Sequence, residues 1–316
     1  MSEDTPKIAV LIPCHNEESA IGTVVGEFRR ALPAATVYVY DNRSSDRTVE
    51  IARAAGAEVR KESLRGKGNV VRRMFADVEA DIYLLVDGDG TYDAASAPTM
   101  IETLRAGGLD MVNCARRSAD GTIARFGHTF GNWLLTWLVA QIFGNQFSDM
   151  LSGYRAMSRR FVKSFPALSA GFETETELTI HALELRAPIE EMSAPYHNRP
   201  QGSQSKLHTF RDGARILRVI VHLVKEERPL QFFGWLALLL GVTSIGLGWP
   251  VVSFYFESGT VPRMPTALLA TGFMIVALLS LSCGLVLDTV TRGRREFKRL
   301  MYLAAEQRAR PPRHGS

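Results

Sequence analysis

The chain has 316 residues, of which 46% are hydrophobic and 22% charged, and its formal net charge is +4. This length and apolar content supply ample material for one large domain and an additional part. The modest positive charge is concentrated near two apolar stretches, which favours anionic lipid headgroups and argues against nucleic acid as a partner. Three widely spaced cysteines without a CxxC pair fit ordinary apolar residues in the cytosol rather than a zinc site.

The N-terminal part of the chain alternates between strand and helix patterns. Strands are predicted at 7–13, 36–41, near 57–61 and at 81–87, and helices at 18–32, at 45–56 and from about 68 to 80. Strands that alternate with helices indicate an α/β fold, with a parallel sheet covered by helices on both faces. Ligands of such sheets bind beyond the carboxyl ends of the strands.

Two later segments have the pattern of amphipathic helices. Residues 209–229 carry basic residues at helical spacing opposite an apolar face, which predicts a juxtamembrane helix in the plane of the lipid headgroups. Residues 125–143 contain Trp133 and Trp137 in an uncharged stretch too short to span a bilayer, which also favours an interface. Packing of either helix on the sheet is the alternative.

Two uncharged stretches, 230–256 and 264–287, follow near the C-terminus. Each exceeds the roughly 20 residues that a helix needs to cross a bilayer, which predicts a transmembrane hairpin, with a pair of buried core helices as the alternative. Basic residues flank the outer ends of both stretches: Lys225, Arg228, Arg292, Arg294, Arg295, Lys298 and Arg299. The positive-inside rule then places both flanks in the cytoplasm, and the N-terminus lacks the apolar region of a signal peptide.

Polar residues follow each of the first four predicted strands. These strand-end segments are PCHNEE (13–18), DNRSSD (41–46), RGKG (65–68) and DGDGTYD (87–93). They should gather at one edge of the sheet, with carboxylates, an amide, glycines and a lysine suited to a nucleotide, a diphosphate and a divalent metal. The first turn has no GxGxxG, which argues against a dinucleotide-binding fold.

These motifs carry a resemblance. IPCHNEE, DNRSSDRT, GKGNVVR and VDGDGTYD, in this order and spacing, resemble the nucleotide-sugar domain of family-2 glycosyltransferases with the GT-A fold. Together with SDMLSGYRAMSRR (148–160), HNRPQGSQSKL (197–207) and the two apolar stretches, the chain resembles the polyprenyl-phosphate glycosyltransferases over residues 7–290. That group includes dolichyl-phosphate mannose synthases and the bacterial undecaprenyl-phosphate glucosyltransferases.

The resemblance gives a role to the acidic segment after the fourth strand. Asp87, Asp89 and Asp93 lie close together, and like charges repel unless something compensates them. The family pattern makes Asp87 and Asp89 a DxD motif for Mg²⁺ or Mn²⁺, with Asp89 as the direct ligand and Asp87 nearer the ribose or the metal. Both ions take one or two carboxylates and complete their shell with phosphate oxygens. A solvated acidic turn is the alternative, and Thr91 stands where many relatives have Gln.

The resemblance also implies a set of nucleotide-sugar residues. Pro13, Asn16 and Glu17 would surround the base and ribose, and Asp41 would contact the nucleoside. Lys67 would meet the diphosphate as a point charge or would be a solvated loop lysine. Where many relatives have DDGSSD, this chain has Asn42 and Arg43, and these changes leave the identity of the nucleotide's base open.

Other residues would serve the acceptor. Asp149 matches a carboxylate that the family places near the transferred sugar and the nucleophile, acting either as a base or as an orienting group. Arg155 matches an arginine of the family's acceptor side, with a role in fixing its own loop as the alternative. Arg199, Ser205 and Lys206 would clamp a phosphate, with a linker carrying incidental basic residues as the alternative.

The sequence predicts a GT-A (Rossmann-like) nucleotide-sugar domain with amphipathic interface helices and a C-terminal two-helix transmembrane hairpin. The expected layout is a cytosolic domain at 1–208, an amphipathic helix at 209–229, two transmembrane helices at 230–290 and a basic cytoplasmic tail at 291–316. The oligomeric state, including a homo-oligomer, stays open.

The activity implied by the resemblance is inverting, metal-dependent transfer of a hexose from a nucleotide diphosphate sugar to a polyprenyl phosphate, at the cytoplasmic leaflet of a bacterial inner membrane. UDP-glucose, another UDP-hexose or GDP-mannose would each satisfy the residues named. A membrane polysaccharide synthase is an alternative, although the QxxRW acceptor signature and a long multi-span channel are missing from the sequence. A non-catalytic scaffold that binds nucleotide sugars is another.

Overall fold

The computed structural model describes residues 6–118, 147–167, 174–197, 225 and 228–309. The predicted interfacial helix at 125–143 lies outside these described residues. So do almost all of the predicted amphipathic helix at 209–229 and the segment 198–207.

Seven strands of the described part of the chain form one sheet. The strands are β1 (Ile8–Cys14), β2 (Thr36–Asp41), β3 (Glu58–Lys61), β4 (Ile82–Leu85), β5 (Met111–Ser118), β6 (Arg155–Ser158) and β7 (Ile189–Tyr196). The helices are α1 (Ile21–Ala31), α2 (Thr48–Ala54), α3 (Lys67–Asp77), α4 (Ala97–Ala106), α5 (Arg159–Ser164), α6 (Thr174–Leu185), α7 (Pro229–Ser258) and α8 (Met264–Ala309). The predicted α/β fold is therefore confirmed.

The sheet is mixed rather than fully parallel. Its strand order is β3-β2-β1-β4-β6-β5-β7, and the first four strands pair in parallel as their alternation with helices predicts. β6 is antiparallel to both of its neighbours, β4 and β5, which corrects the expectation of a parallel sheet. Every residue of β4 is buried, as expected for a central strand covered on both faces.

Helix α1 shows how the first crossover packs on this sheet. It buries Ile21, Val24, Val25 and Phe28, at the i, i+3, i+4 and i+7 spacing of one helical face. The Phe28 ring lies edge-on to Tyr154, with centroids 5.9 Å apart. Burial of each of these side chains contributes roughly 1.5–3 kcal/mol, so α1 and the loop before it are fixed to the sheet.

The chain divides into two compact units: Met1–Ala214 with Lys298–Ser316, and Arg215–Phe297. The final part of α8 thus belongs to the first unit, whereas the sequence predicted a separate tail from residue 291. Within that unit Lys298 pairs with Glu184, and the Tyr302 hydroxyl donates to Asp110. Asp110 is fully buried and also accepts from Arg160 and Ser158, so it fixes several segments of the first unit.

The second unit contains two helices that are long and apolar enough to cross a membrane. Only 11% of the apolar window in α7 and 17% of that in α8 is buried, which argues against the alternative of core helices. Within this unit the Ser244 hydroxyl donates to the Ala270 carbonyl at 2.7 Å, and Gly248 lies beside Ala270. The two helices therefore pack against each other as a hairpin.

Candidate active site

The segments that leave β1 to β4 meet at the carboxyl edge of the sheet, as the sequence predicts. The first two are joined where the Asn16 N–H donates to Ser44 Oγ at 2.9 Å and the Ser45 N–H donates to Asn16 Oδ1 at 2.8 Å. Asn42 joins the second to the third, because its Nδ2 donates to the Leu64 carbonyl and its Oδ1 accepts from the Gly66 N–H. A chain of hydrogen bonds thus fixes the spacing of these loops.

Four residues of these loops have a positive φ. Asn16 has a φ of 53°, Arg43 of 63°, Gly66 of 118° and Gly90 of 73°. Asn and Gly tolerate this region, whereas a long side chain such as that of Arg43 is strained there. Arg43 therefore adopts this backbone at a cost in strain.

The candidate nucleoside residues lie together on the first two loops. Pro13 is the second-last residue of β1 and Asp41 is the last residue of the paired strand β2. The buried Asp41 carboxylate accepts from the Ser44 N–H at 3.1 Å. Glu17 follows Asn16 and is tied to the second loop through its N–H, which donates to Thr48 Oγ1. The structure therefore brings Pro13, Asn16, Glu17 and Asp41 together, and their contact with a nucleoside stays a prediction.

The two carboxylates of the DxD motif have different surroundings. Asp89 is 5% exposed, and its Oδ1 accepts from both the N–H and the hydroxyl of Thr91, the latter at 2.6 Å. Asp87 is more open, with 29% of its side chain exposed. Asp93 is not part of this pair, because its oxygens cap the short turn that follows, through Ala95 and Ser96. Thr91 thus orients Asp89 at the position where many relatives have Gln.

A buried lysine lies beside Asp87. Lys67 Nζ contacts the carboxylates of Asp87 and of Glu175, and only 9% of the Lys67 side chain is exposed. Burial alone would lower the pKa of Lys67, but the two carboxylates raise it well above its ordinary value, so the side chain is an ammonium. The alternative of a solvated loop lysine is therefore wrong in this structure.

The SGYR segment is fitted closely around Asp87. A Cβ atom on Gly153 would lie 2.8 Å from Asp87 Cγ, so only glycine leaves room for this carboxylate. The Gly153 N–H donates to the Tyr92 hydroxyl at 2.8 Å, and the Tyr92 ring lies against Tyr154. The DxD turn and the segment that carries Asp149 are thus packed directly together.

Asp149 is held in place as an ion pair. Its Oδ2 accepts from Arg116 Nε at 2.7 Å and its Oδ1 accepts from Arg116 Nη2 at 2.9 Å. Burial alone would raise the pKa of Asp149, but the hydrogen bonds and charge of Arg116 lower it below its ordinary value. Glu191 ties down the same loop by accepting from Ser148 and from Asn113, which in turn donates to the Asp149 carbonyl. Asp149 is therefore ionised and rigidly positioned.

Arg155 does not lie where an acceptor phosphate could reach it. The side chain is completely buried, and its guanidinium donates to the carbonyls of Ser152 and Met150 and to the hydroxyl of Thr179. Burial lowers the pKa of Arg155 to about 10. The expected acceptor contact is corrected on this ground, and the alternative role in fixing its own loop fits the structure.

The predicted phosphate clamp, Arg199, Ser205 and Lys206, lies outside the described residues. The residue just before that segment is described. The His197 N–H donates to the Thr91 carbonyl at 2.8 Å, and the Tyr196 ring lies 5.4 Å from that of Tyr92. The segment therefore starts beside the DxD turn, and its contact with phosphate stays a prediction.

The described residues fit a divalent cation of the predicted kind. They contain no group of three or more His, Cys, Asp or Glu side chains that could hold a metal by themselves. Asp87 and Asp89 supply hard carboxylate oxygens at the ligand-binding edge, and diphosphate oxygens would complete the shell of Mg²⁺ or Mn²⁺. The two carboxylates alone would hold the cation weakly.

Three contacts of the site are not predicted by the sequence. Arg116 pairs with Asp149, Glu191 fixes its loop, and Glu175 holds Lys67. Arg116 lies in β5 and Glu191 in the parallel neighbour β7, so their proximity depends on strand order. Glu175 lies in the alternating acids of GFETETEL, a pattern that fits helix-start acids equally well and so does not predict the contact with Lys67.

Two relatives in sequence match most of the chain. The profile of Glycosyl transferase family 2 matches residues 9–165. The glycosyltransferase AglJ of Haloferax volcanii is 32% identical over 283 residues, which cover 86% of this chain and 92% of AglJ. A dolichyl-phosphate hexose transferase of Haloferax volcanii is 29% identical over 222 residues, which cover 70% of this chain and 95% of the relative.

The solved structures agree with the sheet topology. Glucosyl-3-phosphoglycerate synthase from Mycobacterium tuberculosis, in complex with Mn²⁺, UDP-glucose and phosphoglyceric acid, matches with a TM-score of 0.56 and 25% identity. The match covers 70% of this chain and 79% of that one. The predicted GT-A fold is thereby confirmed, and the chain belongs to glycosyltransferase family 2.

Proposed function

We propose that this glycosyltransferase moves a hexose from a nucleotide diphosphate sugar to a polyprenyl phosphate, with inversion at the anomeric carbon. The observation that carries the proposal is the packing of the DxD turn against the segment that holds Asp149, through Tyr92 and Gly153. A candidate donor site and a candidate acceptor site therefore adjoin, as direct transfer between two bound substrates requires.

The donor would bind across the four strand-end loops. Pro13, Asn16, Glu17 and Asp41 would hold the nucleoside, and Lys67 and the DxD motif would face the diphosphate. Asp87 and Asp89 would hold Mg²⁺ or Mn²⁺, and such an ion would supply positive charge to stabilise the departing nucleotide. The Mycobacterium tuberculosis structure with Mn²⁺ and UDP-glucose supports a UDP-hexose as the first donor to test.

Two features support a lipid phosphate as the acceptor. One relative is named a dolichyl-phosphate hexose transferase. The apolar hairpin of α7 and α8 is the kind of element that keeps an enzyme at a bilayer, where a polyprenyl phosphate resides. Arg199, Ser205 and Lys206 would bind its phosphate, on a segment that starts beside the DxD turn.

The reaction would be a single displacement. A phosphate oxygen of the acceptor attacks the anomeric carbon, the bond from that carbon to the nucleotide diphosphate breaks, and its electron pair leaves with the diphosphate. The products are a polyprenyl-phosphate hexose and a nucleoside diphosphate. The second pKa of a phosphate monoester is about 6, so the nucleophile is already largely deprotonated at neutral pH.

Asp149 then serves better as an orienting carboxylate than as a base. Its ion pair with Arg116 lowers its pKa, which makes it a weak proton acceptor near neutral pH. A fixed negative charge there would stabilise the positive charge that develops at the anomeric carbon. The low pKa supports this role over that of a general base.

The proposed layout keeps the catalytic domain and both termini in the cytoplasm of a bacterial cell. Basic residues that flank the hairpin, among them Lys225 and Arg292, support this orientation. The proposed domains are the cytosolic domain 1–208, the amphipathic helix 209–229 and the transmembrane pair 230–290. The part of α8 after Phe297 would belong to the catalytic domain.

A transfer assay tests the proposal. The full-length protein in detergent is given radiolabelled UDP-sugars and GDP-mannose in turn, with undecaprenyl phosphate and Mg²⁺ or Mn²⁺, beside an Asp89→Ala control. We expect one donor to label the lipid phase with the wild-type protein, and no label in the lipid phase with the Asp89→Ala variant. Label in a polymer would favour a polysaccharide synthase, and donor binding without turnover would favour a scaffold.

A further inference from the structure

Lys67 and Glu175 reach the same point from distant parts of the chain. Lys67 is the first residue of α3, and Glu175 lies in the first turn of α6. The Lys67 ammonium contacts both the Asp87 carboxylate and Glu175 Oε1. Glu175 is 5% exposed, so a buried acid lies one ammonium away from a candidate metal ligand.

In the protein without metal, the Lys67 ammonium balances two negative charges. Asp87 and Glu175 would repel each other if nothing lay between them, and Lys67 compensates both. A divalent cation at Asp87 would supply the same compensation with twice the charge. Lys67 and the cation therefore compete for one carboxylate.

Glu175 can still bind the Lys67 ammonium after a divalent cation has bound Asp87. Among the residues that the structure describes, its buried Oε2 atom has no hydrogen-bond partner. An ammonium has three donors, so Lys67 can give a second hydrogen bond to Glu175 when it loses the one to Asp87. A buried carboxylate oxygen left without a donor is costly, which favours this exchange.

A role for Glu175 as a helix-start acid does not account for its burial. The first turn of α6 also contains Glu177, which is more exposed than Glu175. An acid that only complements the helix dipole gains nothing from burial and loses hydration. The contact with Lys67 is what compensates Glu175.

We propose that Glu175 is a positioning residue: it holds Lys67 at Asp87 in the metal-free protein and retains Lys67 beside the site when Lys67 releases Asp87 to the divalent cation. Lys67 then faces the diphosphate of the donor, already inside the site. The inference rests on the proposed function for the identity of the donor, but the exchange between Lys67 and the cation does not depend on the acceptor.

Binding of Mn²⁺ alone to the full-length protein in detergent tests the exchange, followed by the electron paramagnetic resonance signal of free Mn²⁺. Lys67→Met removes the competitor, so we expect Mn²⁺ to bind about tenfold more tightly, a change of roughly 1.4 kcal/mol. Glu175→Gln removes a negative charge and leaves Lys67 to Asp87 alone, so we expect about tenfold weaker binding. Glu102→Gln, an exposed change on α4, should leave the affinity unchanged.

The opposite signs separate positioning from a general structural role, because a damaged site would bind Mn²⁺ more weakly in both variants. Weaker or unchanged binding in Lys67→Met would overturn the proposal, even if Glu175→Gln fails to fold. Undetectable Mn²⁺ binding by every protein at millimolar concentration would also overturn it. If the opposite shifts occur but no donor labels lipid, the proposed function fails while the role of Glu175 stands.

Discussion

The Arg116 guanidinium and the Asp149 carboxylate form a two-point ion pair, with hydrogen bonds of 2.7 and 2.9 Å. The Arg116 guanidinium also lies over the Tyr196 ring, 5.7 Å from its centroid. The pair thus joins the loop before β6 to the ends of β5 and β7. It sets both the charge and the direction of the carboxylate that we propose beside the transferred sugar.

Replacement of Arg116 should impair transfer and change its pH dependence. Without the cation, the pKa of Asp149 rises because burial then dominates, so protonation begins at a higher pH. For Arg116→Met we expect kcat to fall about a hundredfold, which is the effect of misplacing a catalytic group. We also expect the acidic limb of the pH profile of kcat to move to higher pH. The measurement is kcat between pH 5 and 8.

A matched surface change gives the control for that profile. Arg105→Met removes an exposed arginine from the last turn of α4 and should leave kcat and its pH profile as in the wild type. The proposed role of the ion pair is refuted by an Arg116→Met protein whose kcat and acidic limb match those of the control.

Gly153→Ala should displace Asp87 without unfolding the domain. The added Cβ would lie 2.8 Å from Asp87 Cγ, and the partly exposed carboxylate has room to move outward. We expect kcat/KM for the donor to fall about tenfold or more and the unfolding free energy to drop by about 1–3 kcal/mol. Gly26→Ala is the control, since its Cβ would meet nothing within 4 Å. A donor kcat/KM equal to that of the control would contradict the close fit around Asp87.

Arg155→Lys should affect stability rather than acceptor binding. A lysine cannot reach all of the acceptors that the buried guanidinium now serves, so we expect an unfolding free energy lower by about 2–4 kcal/mol. The midpoint temperature of thermal unfolding should fall by roughly 5–10 °C, while KM for the lipid phosphate stays unchanged. Arg159→Lys, in a partly exposed ion pair with Glu79, should shift it little. A higher acceptor KM at unchanged stability would restore the acceptor role.

His181 should make the catalytic domain less stable in mild acid. Burial, with a smaller contribution from Lys298, lowers its pKa to about 3, against an ordinary value of 6.5. The contribution of neutral His181 to the unfolding free energy is complete above pH 6.5. It falls as the pH drops toward 3, because the unfolded chain then binds the proton and the folded chain does not. Between pH 7.5 and 5.5 this lowers the unfolding free energy by roughly 1–2 kcal/mol.

His181→Asn removes the titration and keeps a polar group near Ser164, which lies 3.1 Å from His181 Nε2. The measurement is thermal unfolding of both proteins in detergent at pH 7.5 and 5.5. The wild type should lose roughly 3–5 °C more than the variant on acidification. Equal losses would show that His181 is not the buried neutral group that the structure indicates.

Local patterns predicted the donor half of the site well. The segment TVYVYD predicted a strand at 36–41, and β2 runs from Thr36 to Asp41. Alternation of strands and helices placed the four polar segments at one edge of the sheet, and the contacts of Asn16 and Asn42 confirm this. Such features depend on residues close together in the chain, so a sequence can reveal them.

The partners of these residues could not be predicted in the same way. β6 is antiparallel and inserts between β4 and β5, an order that no periodicity encodes. Arg116 meets Asp149 and Lys67 meets Glu175 only because of that order and the packing of α6. The burial of Arg155 likewise depends on contacts from α6, through Thr179, so its motif alone suggested a binding role.

The most direct test of the account is the mass spectrum of the lipid product. Full-length protein is incubated with undecaprenyl phosphate, the donor that labels lipid and Mn²⁺, and the lipid extract is compared with that of an Asp89→Ala variant. We expect undecaprenyl phosphate that carries one hexose through a phosphodiester bond, formed by the wild type only. A hexose chain on the lipid, or unmodified lipid beside a consumed donor, would contradict it.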